Sequence, residues 1–215
     1  MTKTKTPTSL IPLLYKTIIG GWLMLISAIS SAETLVIVGD SISAGYGINP
    51  QNGWVSLLSE KLQLEESGYQ TINASVSGNT TGDGLSRLPK LLETYSPEIV
   101  VIELGGNDGL RGYPLKLMET NLTKMIQQSR DAGAKVLLLG IEIPPNYGQR
   151  YTDEFRNVYQ RVAENENVIL VPFILENIAT QPDLMQNDGI HPTEEAQGLL
   201  LENILPALKS VIAID

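Results

Sequence analysis

The residue types of a nucleophile–base pair occur near opposite ends of this 215-residue chain. The sole histidine is His191, in Asp188-Gly-Ile-His-Pro192, and the segment Gly39-Asp40-Ser41 follows an apolar run that starts at Leu35. A histidine can take the proton of a serine nucleophile when a carboxylate holds the imidazole in the correct tautomer. On one tight turn, an acid three residues before a histidine can reach a ring nitrogen. We therefore predict a catalytic triad of Ser41, Asp188 and His191; the structural alternatives are a helix N-cap serine and an aspartate turn.

Two further polar segments contain groups that could stabilise an oxyanion. Gly78 lies in Ser77-Gly-Asn-Thr80, and Asn107 lies in Gly105-Gly-Asn-Asp-Gly109. The backbone N–H groups of Ser41 and Gly78 and the side-chain amide of Asn107 could donate to one oxygen. Losing one such donor typically costs about 10²–10³ in turnover. We predict an oxyanion hole formed by these three residues; the ordinary alternatives are a turn glycine and a turn asparagine.

Five short apolar runs predict the strands that position these segments. The runs are rich in Val and Ile and nearly continuous, which is typical of strands covered on both faces of a parallel sheet. They are Thr34–Val38, Thr71–Val76, Ile99–Leu104, Lys135–Ile141 and Val168–Phe173. Between them the apolar period is about 3.6 residues, which predicts helices. The predicted buried helix faces are Trp54, Leu57, Leu58 and Leu62; Met118, Leu122, Met125 and Ile126; and Phe155, Val158, Tyr159 and Val162.

The alternation of strands and helices predicts one α/β domain over residues 33–215. Its architecture would be a three-layer α/β/α sandwich with a five-stranded parallel sheet of flavodoxin-like order 2-1-3-4-5. In that order the ligand crevice lies beyond the carboxyl ends of strands 1 and 3, where Ser41 and Asn107 would meet. His191 follows the edge strand, and the 14 residues from Ile174 to Asn187 are enough to carry the chain back over the crevice.

Two prolines give further expectations about the helices. A final helix is predicted to open near Pro192, because proline suits the first helical turn. Pro89 lies within the segment after the second predicted strand, where it should kink or divide the helix. The apolar face of the final helix would consist of Ala196, Leu199, Leu200 and Ile204.

Residues 1–32 have the pattern of a signal peptide. Three lysines precede an apolar run over residues 17–29, and residues 1–32 contain no acid. Ser30-Ser31-Ala32 offers small residues at a cleavage position. The run is short for a membrane span, which needs about 20 residues. We predict cleavage after Ala32 and export to the periplasm or the exterior, with no stable membrane insertion after processing; the alternative is an uncleaved anchor.

Composition and charge exclude several partners and cofactors. Three of the 15 basic residues and none of the 24 acidic residues lie in the leader, so the remainder has 12 basic and 24 acidic residues and a net charge of −12. That charge argues against nucleic acid or an anionic lipid surface as a partner. The chain has no cysteine and one histidine, so we expect no disulfide, metal site or cofactor. Nothing in the sequence requires more than a monomer.

Four of these segments, in order and approximate spacing, resemble the motifs of the SGNH (GDSL-type) hydrolases. They are Gly39-Asp-Ser41, Gly78, Gly105-Gly-Asn-Asp108 and Asp188-Gly-Ile-His191. Longer stretches are similar to one subgroup, the periplasmic multifunctional enzymes with thioesterase, protease and lysophospholipase activity, also called arylesterases. Those stretches are Gly39–Gly47, Asn73–Thr80, Glu103–Gly112, Pro145–Gly148 and Met185–Pro192. The similarity extends over nearly all of residues 34–208.

The resemblance implies a serine esterase that hydrolyses carboxylic esters and thioesters through an acyl-enzyme. It implies the same triad and oxyanion residues that the spacing suggests. Its substrates would be small molecules with an acyl chain, such as aryl esters, lysophospholipids or acyl-CoA-type thioesters. It also implies a mobile loop from Asp108 to Tyr113 that closes over the acyl chain. On this basis the substrate-binding residues would be Asp108, Gly109, Leu110 and Tyr113 on the loop, with Ile143 and Pro144 as the opposite wall.

Three other functions are compatible with parts of the pattern. A carbohydrate O-acetyl esterase of the same superfamily would share the catalytic residues. A non-catalytic carbohydrate- or lipid-binding module would not need Ser41, Asn107, Asp188 and His191 together, and a fluorophosphonate probe would distinguish it. A flavodoxin-like nucleotide or flavin binder shares the strand order, but the first strand is not followed by Gly-x-Gly-x-x-Gly.

Overall fold

The computed structural model describes residues 1–3, 33–65 and 67–213. The chain divides into two units, Met1–Ser31 and Ala32–Asp215. Apart from residues 1–3, the predicted leader lies outside the described residues, so the fold below is that of the second unit. Within the described ranges, no helix combines the length and the apolar character that a membrane crossing requires.

A five-stranded parallel sheet forms the centre of this unit. Its order is β2-β1-β3-β4-β5, which confirms the predicted topology. The central strands β1, β3 and β4 are almost completely buried because helices cover both faces of the sheet. The strands are β1 (Glu33–Gly39), β2 (Tyr69–Asn73), β3 (Ile99–Glu103), β4 (Lys135–Leu139) and β5 (Ile169–Val171).

All five strands differ by one to three residues at one or both ends from the apolar runs that predicted them, and β2 and β5 differ most. β2 begins two residues before the predicted run and ends at Asn73. Beyond it, the N–H groups of Ala74 and Val76 still donate to carbonyl oxygens of β1 at 2.9 and 3.0 Å, without regular strand geometry. β5 is shorter than its predicted run at both ends, and it lies at the edge of the sheet with β4 as its only neighbour in the described sheet.

Seven helices connect or flank the strands in the described residues. α2 and α7 pack against each other, whereas α3, α5 and α6 form a row in which α5 contacts both neighbours. The helices are α1 (Ser41–Ala44), α2 (Trp54–Leu64), α3 (Thr81–Tyr95), α4 (Gly106–Leu110), α5 (Leu115–Asp131), α6 (Gln149–Glu166) and α7 (Gln197–Ile212). Short 3-10 turns cover Pro50–Asn52, Pro145–Tyr147 and Pro182–Leu184.

The buried faces of three helices agree with the 3.6-residue period. The predicted apolar residues of α5 and α6 are all buried, and those of α2 are buried except Leu57, which is partly buried. These side chains fill the space between the helices and the sheet, so the prediction of these faces is confirmed.

One expectation about proline is wrong, and another is wrong in part. Pro89 lies inside α3, which runs unbroken from Thr81 to Tyr95, so it does not divide the helix, and the expected kink stays a prediction. Pro192 does not start the final helix, because it pairs in an antiparallel bridge with Met185 and needs extended backbone there. α7 begins five residues later, at Gln197. Of the predicted apolar face, Ala196, Leu200 and Ile204 are buried, whereas Leu199 is 42% exposed and lies outside the buried face.

The register of the central strands places two chain segments side by side. β1 and β3 are neighbours, and Gly39 at the end of β1 pairs with Glu103 at the end of β3. Helix α1 begins two residues after Gly39, and α4 begins three residues after Glu103. The first turns of both helices therefore leave the sheet at the same edge.

Candidate active site

Ser41 occupies the first position of α1, immediately beyond β1. The preceding residue, Asp40, is the N-cap, and its Oδ1 accepts a hydrogen bond from the Ile42 N–H at 3.1 Å. Such a cap satisfies one of the N–H groups that the first turn of a helix leaves without an intrahelical acceptor. The helix ends after one turn at Gly45, which adopts φ +73° and so reverses the chain where a side chain would be strained. This short turn presents the Ser41 hydroxyl at the carboxyl edge of the sheet.

The Asp188–His191 loop reaches Ser41 from the other end of the chain. The Oδ1 atom of Asp188 accepts hydrogen bonds from the N–H groups of Ile190 and His191 at 2.9 and 3.0 Å. Its Oδ2 atom lies 2.7 Å from His191 Nδ1, and His191 Nε2 lies 2.8 Å from Ser41 Oγ. The three predicted triad residues are thus joined in one hydrogen-bonded chain, although 147 residues separate Ser41 from Asp188 in the sequence.

The Asp188 carboxylate is held in its ionised form. Partial burial opposes ionisation, but hydrogen bonds from the His191 ring, the His191 N–H and the Ile190 N–H outweigh it and lower the pKa of Asp188 to about 2. An ionised carboxylate accepts from Nδ1–H, which leaves Nε2 of a neutral imidazole as the acceptor for the Ser41 hydroxyl proton. The arrangement can therefore remove a proton from Ser41.

The three predicted oxyanion residues border one cavity beside Ser41. Because Ser41 is the first residue of α1, its N–H has no acceptor within that helix. Gly78 stands in a turn at φ +81°, which favours glycine. Asn107 is the second residue of α4, and its Nδ2 donates to Asp40 Oδ2 at 3.0 Å and to the carbonyl oxygen of Asn79 at 3.1 Å. The structure thus brings the donors from three different strand ends together.

An apolar cavity of about 640 Å³ opens next to the Ser41 hydroxyl. This volume is within the range of small-molecule pockets. Most of its wall is hydrocarbon, which favours an apolar group of several carbons. Apart from the polar residues already described, the wall includes Leu110, Ile141, Ile143, Pro144, Phe173, Leu175 and Ile190.

The structure separates the six predicted substrate-binding residues into two groups. Leu110, Ile143 and Pro144 line the cavity, whereas Asp108, Gly109 and Tyr113 do not border it. The first half of the expected mobile segment, Asp108 to Leu110, belongs to α4, and only its second half lies outside a helix.

Asp108 has a different contact from the one expected. Its carboxylate accepts hydrogen bonds from the Thr81 N–H at 2.8 Å and from Thr81 Oγ1 at 2.6 Å. Its side chain is buried, and burial raises its pKa even though the Thr81 hydrogen bonds oppose the rise. Asp108 therefore joins α4 to the start of α3 and points away from the substrate cavity.

Several cavity residues escaped the sequence reasoning. The far wall comes from the segment after β5, with Phe173, Leu175, Ala179 and Thr180. The length of this segment indicated that it crosses the crevice, but no motif showed which of its side chains face inward. Tyr46 also borders the cavity, and its ring lies against the His191 imidazole with the ring centroids 4.6 Å apart. Such aromatic contacts restrict the orientation of an imidazole.

Two buried carboxyl groups lie beneath the turn that carries Ser41. Asp40 is 3% exposed and Glu103 is 0% exposed. Glu103 Oε2 accepts from Ser43 Oγ at 2.7 Å and from the Asp40 N–H at 3.2 Å. Burial raises the pKa of Asp40 to about 6, against hydrogen bonds from Ile42 and Asn107 that lower it. Burial, and then the nearby Asp40, raise the pKa of Glu103 well above its ordinary value.

Among the described residues, no group of three or more histidine, aspartate and glutamate side chains is arranged to hold a metal ion.

Comparison with known proteins places this chain among ester hydrolases. The family model of the GDSL-like lipase/acylhydrolase family matches residues 37–199. Esterase TesA of Pseudomonas aeruginosa is 51% identical over 190 residues, which cover 88% of this chain and 94% of that protein. Thioesterase 1/protease 1/lysophospholipase L1 of Escherichia coli K12 is 41% identical over 186 residues, which cover 86% of this chain and 88% of that protein. A crystal structure of TesA matches with a TM-score of 0.82 and 52% identity, covering 83% of this chain and 99% of that one.

Proposed function

Since this chain belongs to the GDSL-like lipase/acylhydrolase family and is a serine hydrolase of carboxylic esters and thioesters, we propose that Ser41 is its nucleophile. The observation that supports this proposal most is the continuous chain of contacts from Asp188 Oδ2 through His191 to Ser41 Oγ, at 2.7 and 2.8 Å. That chain ends at the apolar cavity.

In the first half of the reaction, His191 Nε2 takes the proton of the Ser41 hydroxyl as Oγ attacks the carbonyl carbon of the ester or thioester. The carbonyl π electrons move onto the oxygen and form a tetrahedral oxyanion. When the carbonyl re-forms, the bond to the leaving group breaks, and the imidazolium gives its proton to the departing alcohol or thiol. An acyl group is then bound to Ser41 Oγ.

In the second half, water attacks the acyl carbon while His191 takes one of its protons. Collapse of the second tetrahedral intermediate breaks the bond to Ser41 Oγ, and the proton returns to that oxygen. The carboxylic acid leaves, and the enzyme is restored. Asp188 stays ionised throughout, fixes the tautomer of His191 and stabilises the imidazolium that forms in each half.

The oxyanion would receive hydrogen bonds from the N–H groups of Ser41 and Gly78 and from the Asn107 amide. In the structure both hydrogens of the Asn107 amide already have acceptors, Asp40 Oδ2 and the Asn79 carbonyl oxygen. Donation to the oxyanion therefore requires that Asn107 share one of these hydrogens with the substrate oxygen or release it from one acceptor. Because the Asn79 carbonyl is uncharged and the Asp40 carboxylate binds more strongly when ionised, the hydrogen directed to Asn79 is the one that we assign to the oxyanion.

The substrate is an ester or thioester whose acyl chain occupies the apolar cavity. Each buried CH₂ group would contribute about 0.8 kcal/mol of binding, so the walls formed by Leu110, Ile143 and Phe173 favour chains of several carbons. An acetyl group on a sugar would leave most of this wall without contacts, which argues against the carbohydrate O-acetyl esterase alternative.

The mature enzyme is proposed to act as an exported monomer on small-molecule esters. The leader of residues 1–32, with its basic start, apolar run and small-residue site, supports export. Acyl-CoA would not normally meet an exported enzyme, so lysophospholipids and small esters are the proposed substrates in the cell.

The decisive experiment is labelling with a fluorophosphonate, which reacts with an activated serine, combined with turnover of p-nitrophenyl butyrate. We expect Ser41→Ala to abolish both, and we expect Ser43→Ala to keep the label, because Ser43 is buried and its hydroxyl donates to Glu103. Labelling that survives Ser41→Ala would overturn the nucleophile assignment. Absence of turnover and of label in the wild-type protein would favour a binding module.

The acyl cavity has its own test, the ratio of kcat/KM for decanoyl over acetyl p-nitrophenyl esters. Leu110→Ser should lower this ratio about tenfold or more, because a leucine side chain buried against the chain contributes about 1.5–3 kcal/mol. Leu117→Ser is the matched control, since Leu117 is 50% exposed on α5 and does not border the cavity. An unchanged ratio in Leu110→Ser would show that this residue does not contact the acyl chain.

A further inference from the structure

Asp40 contacts an oxyanion donor although the proposed reaction assigns it no role. Its Oδ2 accepts from Asn107 Nδ2 at 3.0 Å, and the contact joins residues 67 apart in the sequence. An ionised carboxylate can only accept hydrogen bonds. The Asp40 carboxylate therefore selects the orientation of the Asn107 side chain in which the NH₂ group faces Asp40. The flipped orientation would place the amide oxygen of Asn107 against the carboxylate.

The same carboxylate also fixes the turn that carries Ser41. Its Oδ1 caps α1 through the Ile42 N–H, while the Asp40 N–H donates to Glu103 Oε2 beneath it. Two of the proposed oxyanion donors, the Ser41 N–H and the Asn107 amide, are thus arranged around one side chain. Placing both donors with one rigid acceptor gives the preorganisation on which oxyanion stabilisation depends.

The buried Asp40 carboxylate can be ionised because the neighbouring acid, Glu103, stays protonated. Two neighbouring buried carboxylates cannot both carry a charge at low cost. Each oxygen of Asp40 accepts a hydrogen bond, Oδ1 from the Ile42 N–H and Oδ2 from Asn107, whereas both hydrogen bonds to Glu103 fall on Oε2, and its Oε1 has no partner among the described residues. The negative charge is therefore better stabilised on Asp40, and Glu103 keeps its proton.

The site leaves room for Glu103 only because its neighbour on β1 is glycine. A Cβ atom at Gly39 would lie 2.8 Å from Glu103 Oε2 and 2.8 Å from Ser43 Cβ. Contacts this close do not occur between side chains, and Glu103 is buried within the sheet, so it could not move away. The strand end is thus shaped to hold an acid below the nucleophile turn.

We propose that Asp40 is a positioning residue of the hydrolase, whose buried carboxylate, supported by neutral Glu103, orients the Asn107 side-chain amide toward the substrate oxyanion. The proposal rests on the proposed function, since it requires Asn107 to donate to that oxyanion. Asp40 takes no direct part in the reaction; it acts on the oxyanion through Asn107.

The test is a double-mutant cycle between Asp40→Asn and Asn107→Ala, with kcat and KM measured on p-nitrophenyl butyrate. Asn107→Ala alone should lower kcat about 10²–10³-fold, the usual loss for one oxyanion donor. Asp40→Asn should lower kcat by at least tenfold with KM within about threefold, because its amide places a donor against the Asn107 NH₂ group. In the Asn107→Ala background, Asp40→Asn should cause no further loss beyond about twofold, since the residue through which it acts is gone.

Controls separate positioning from damage to the fold. Asp83→Asn changes another aspartate at a helix start: Asp83 lies on α3, its carboxylate accepts from the N-cap residue Thr80, and it does not border the cavity. This variant should retain wild-type kcat. Asp40→Ser is a second variant for the case in which Asp40→Asn is poorly folded. It keeps a capping oxygen for α1 but lacks the carboxylate, so it should show the same loss of kcat. Melting temperature also distinguishes a structural role of Asp40 from the proposed positioning role. If Asp40 were purely structural, its variants would be less stable than the wild type. In the positioning role, Asp40→Asn removes a buried charge and should be at least as stable as the wild type at pH 8.

Three results would overturn the proposal. They are wild-type kcat in both Asp40 variants, a full Asp40→Asn loss that persists in the Asn107→Ala background, and wild-type kcat in Asn107→Ala. The last would also remove Asn107 from the oxyanion hole, but fluorophosphonate labelling of Ser41 would still report separately on the proposed nucleophile.

Discussion

The two acidic regions around Ser41 differ in almost every physical respect. Asp188 lies on a loop with its side chain 39% exposed, and its pKa falls to about 2. Asp40 and Glu103 lie at the ends of buried strands, and the pKa values of both rise. The number of hydrogen bonds does not explain the contrast alone, because Asp40 also accepts from N–H donors. Burial decides it, since desolvation penalises the charged form more than these few hydrogen bonds stabilise it.

In the proposed reaction, the exposed acid and the buried acids have different roles. Asp188 remains charged over the whole physiological range, as the proposed orienter of His191 must. The buried pair holds one negative charge at a cost to stability, which is the pattern expected where a site is arranged for function. The following predictions test that difference, in order of expected effect.

The largest effect should come from Asp188→Asn. The amide cannot fix the tautomer of His191 or stabilise its imidazolium, so kcat for p-nitrophenyl butyrate at pH 8 should fall about 10⁴-fold, as in other serine triads. The matched control is Asp183→Asn, which changes an exposed aspartate on the same connecting segment. A loss smaller than tenfold would show that Asp188 does not orient the base, and the contrast between the two acidic regions would then lose its functional meaning.

The second effect concerns the stability of Asp40→Asn. This substitution should lower kcat but raise the free energy of unfolding at pH 8. Because the pKa of Asp40 is raised from 3.8 to about 6, the folded state binds more protons than the unfolded state between these values. Asp40 therefore favours the folded state at low pH, and this contribution is lost as pH rises through about 6. Asp40→Asn should be more stable than the wild type at pH 8, by up to about 3 kcal/mol for two pKa units, and the difference should shrink at pH 4.

Urea unfolding at pH 4 and pH 8 measures this difference in the free energy of unfolding. Asp83→Asn is again the comparison variant, because hydrogen bonds to Thr80 lower the pKa of Asp83 and its pH dependence should run the other way. If Asp40→Asn were less stable than the wild type at pH 8 by the same amount as at pH 4, Asp40 would not carry a buried charge.

A third, smaller effect concerns Glu103. Since burial raises its pKa well above the ordinary value, Glu103→Gln should replace one neutral group by another of the same shape. We expect kcat within about threefold of the wild type, with Ser43 and the Asp40 N–H still bonded to the side-chain oxygen. A loss of more than tenfold, measured beside Glu103→Gln/Ser43→Ala, would indicate that ionised Glu103 takes part in the reaction.

The smallest effect is the contribution of Asp188 to stability. Its lowered pKa stabilises the folded state above pH 3.8, and this contribution is lost as pH falls toward 2. Because the side chain is partly exposed to solvent, we expect less than about 1 kcal/mol. The free energies of unfolding of the wild type and Asp188→Asn at pH 7 and pH 3 report this contribution. A loss of several kcal/mol in Asp188→Asn at pH 7 would mean that the loop containing Asp188 also stabilises the fold.

Much of the fold followed from local patterns. The strand order and the buried faces of α2, α5 and α6 could be predicted because continuous apolar runs and 3.6-residue periods depend on neighbours a few residues away. The helix start near Pro192 could not. Its position is decided by the bridge to Met185, a contact that proline preference does not include. Pro89 fits within α3 for a related reason, since the packing of that helix outweighs the local cost.

The sequence predicted the positions of the triad residues better than those of the substrate-binding residues. The sequence grouped Ser41, Asp188 and His191 by residue type, and the structure brings them within hydrogen-bond distance, while their roles stay predictions until the variants are measured. Asp108 has the same neighbourhood in sequence as Asn107, yet its side chain turns to Thr81, because adjacent residues of a helix face different directions.

By itself the sequence determined the chemical groups, the strands that carry them and the short loop in which Asp188 meets His191. These depend on residue type and on separations of a few residues. Only the tertiary structure decided that Glu103 lies beneath Ser41, that Asp40 accepts from Asn107, and that the wall of the cavity continues into the segment after β5. The reason is physical: the Gly39–Glu103 register, the burial of two acids and the shape of a cavity arise when distant strands pair and exclude water. Desolvation, which sets the charge of Asp40 and Glu103, exists only in the folded protein.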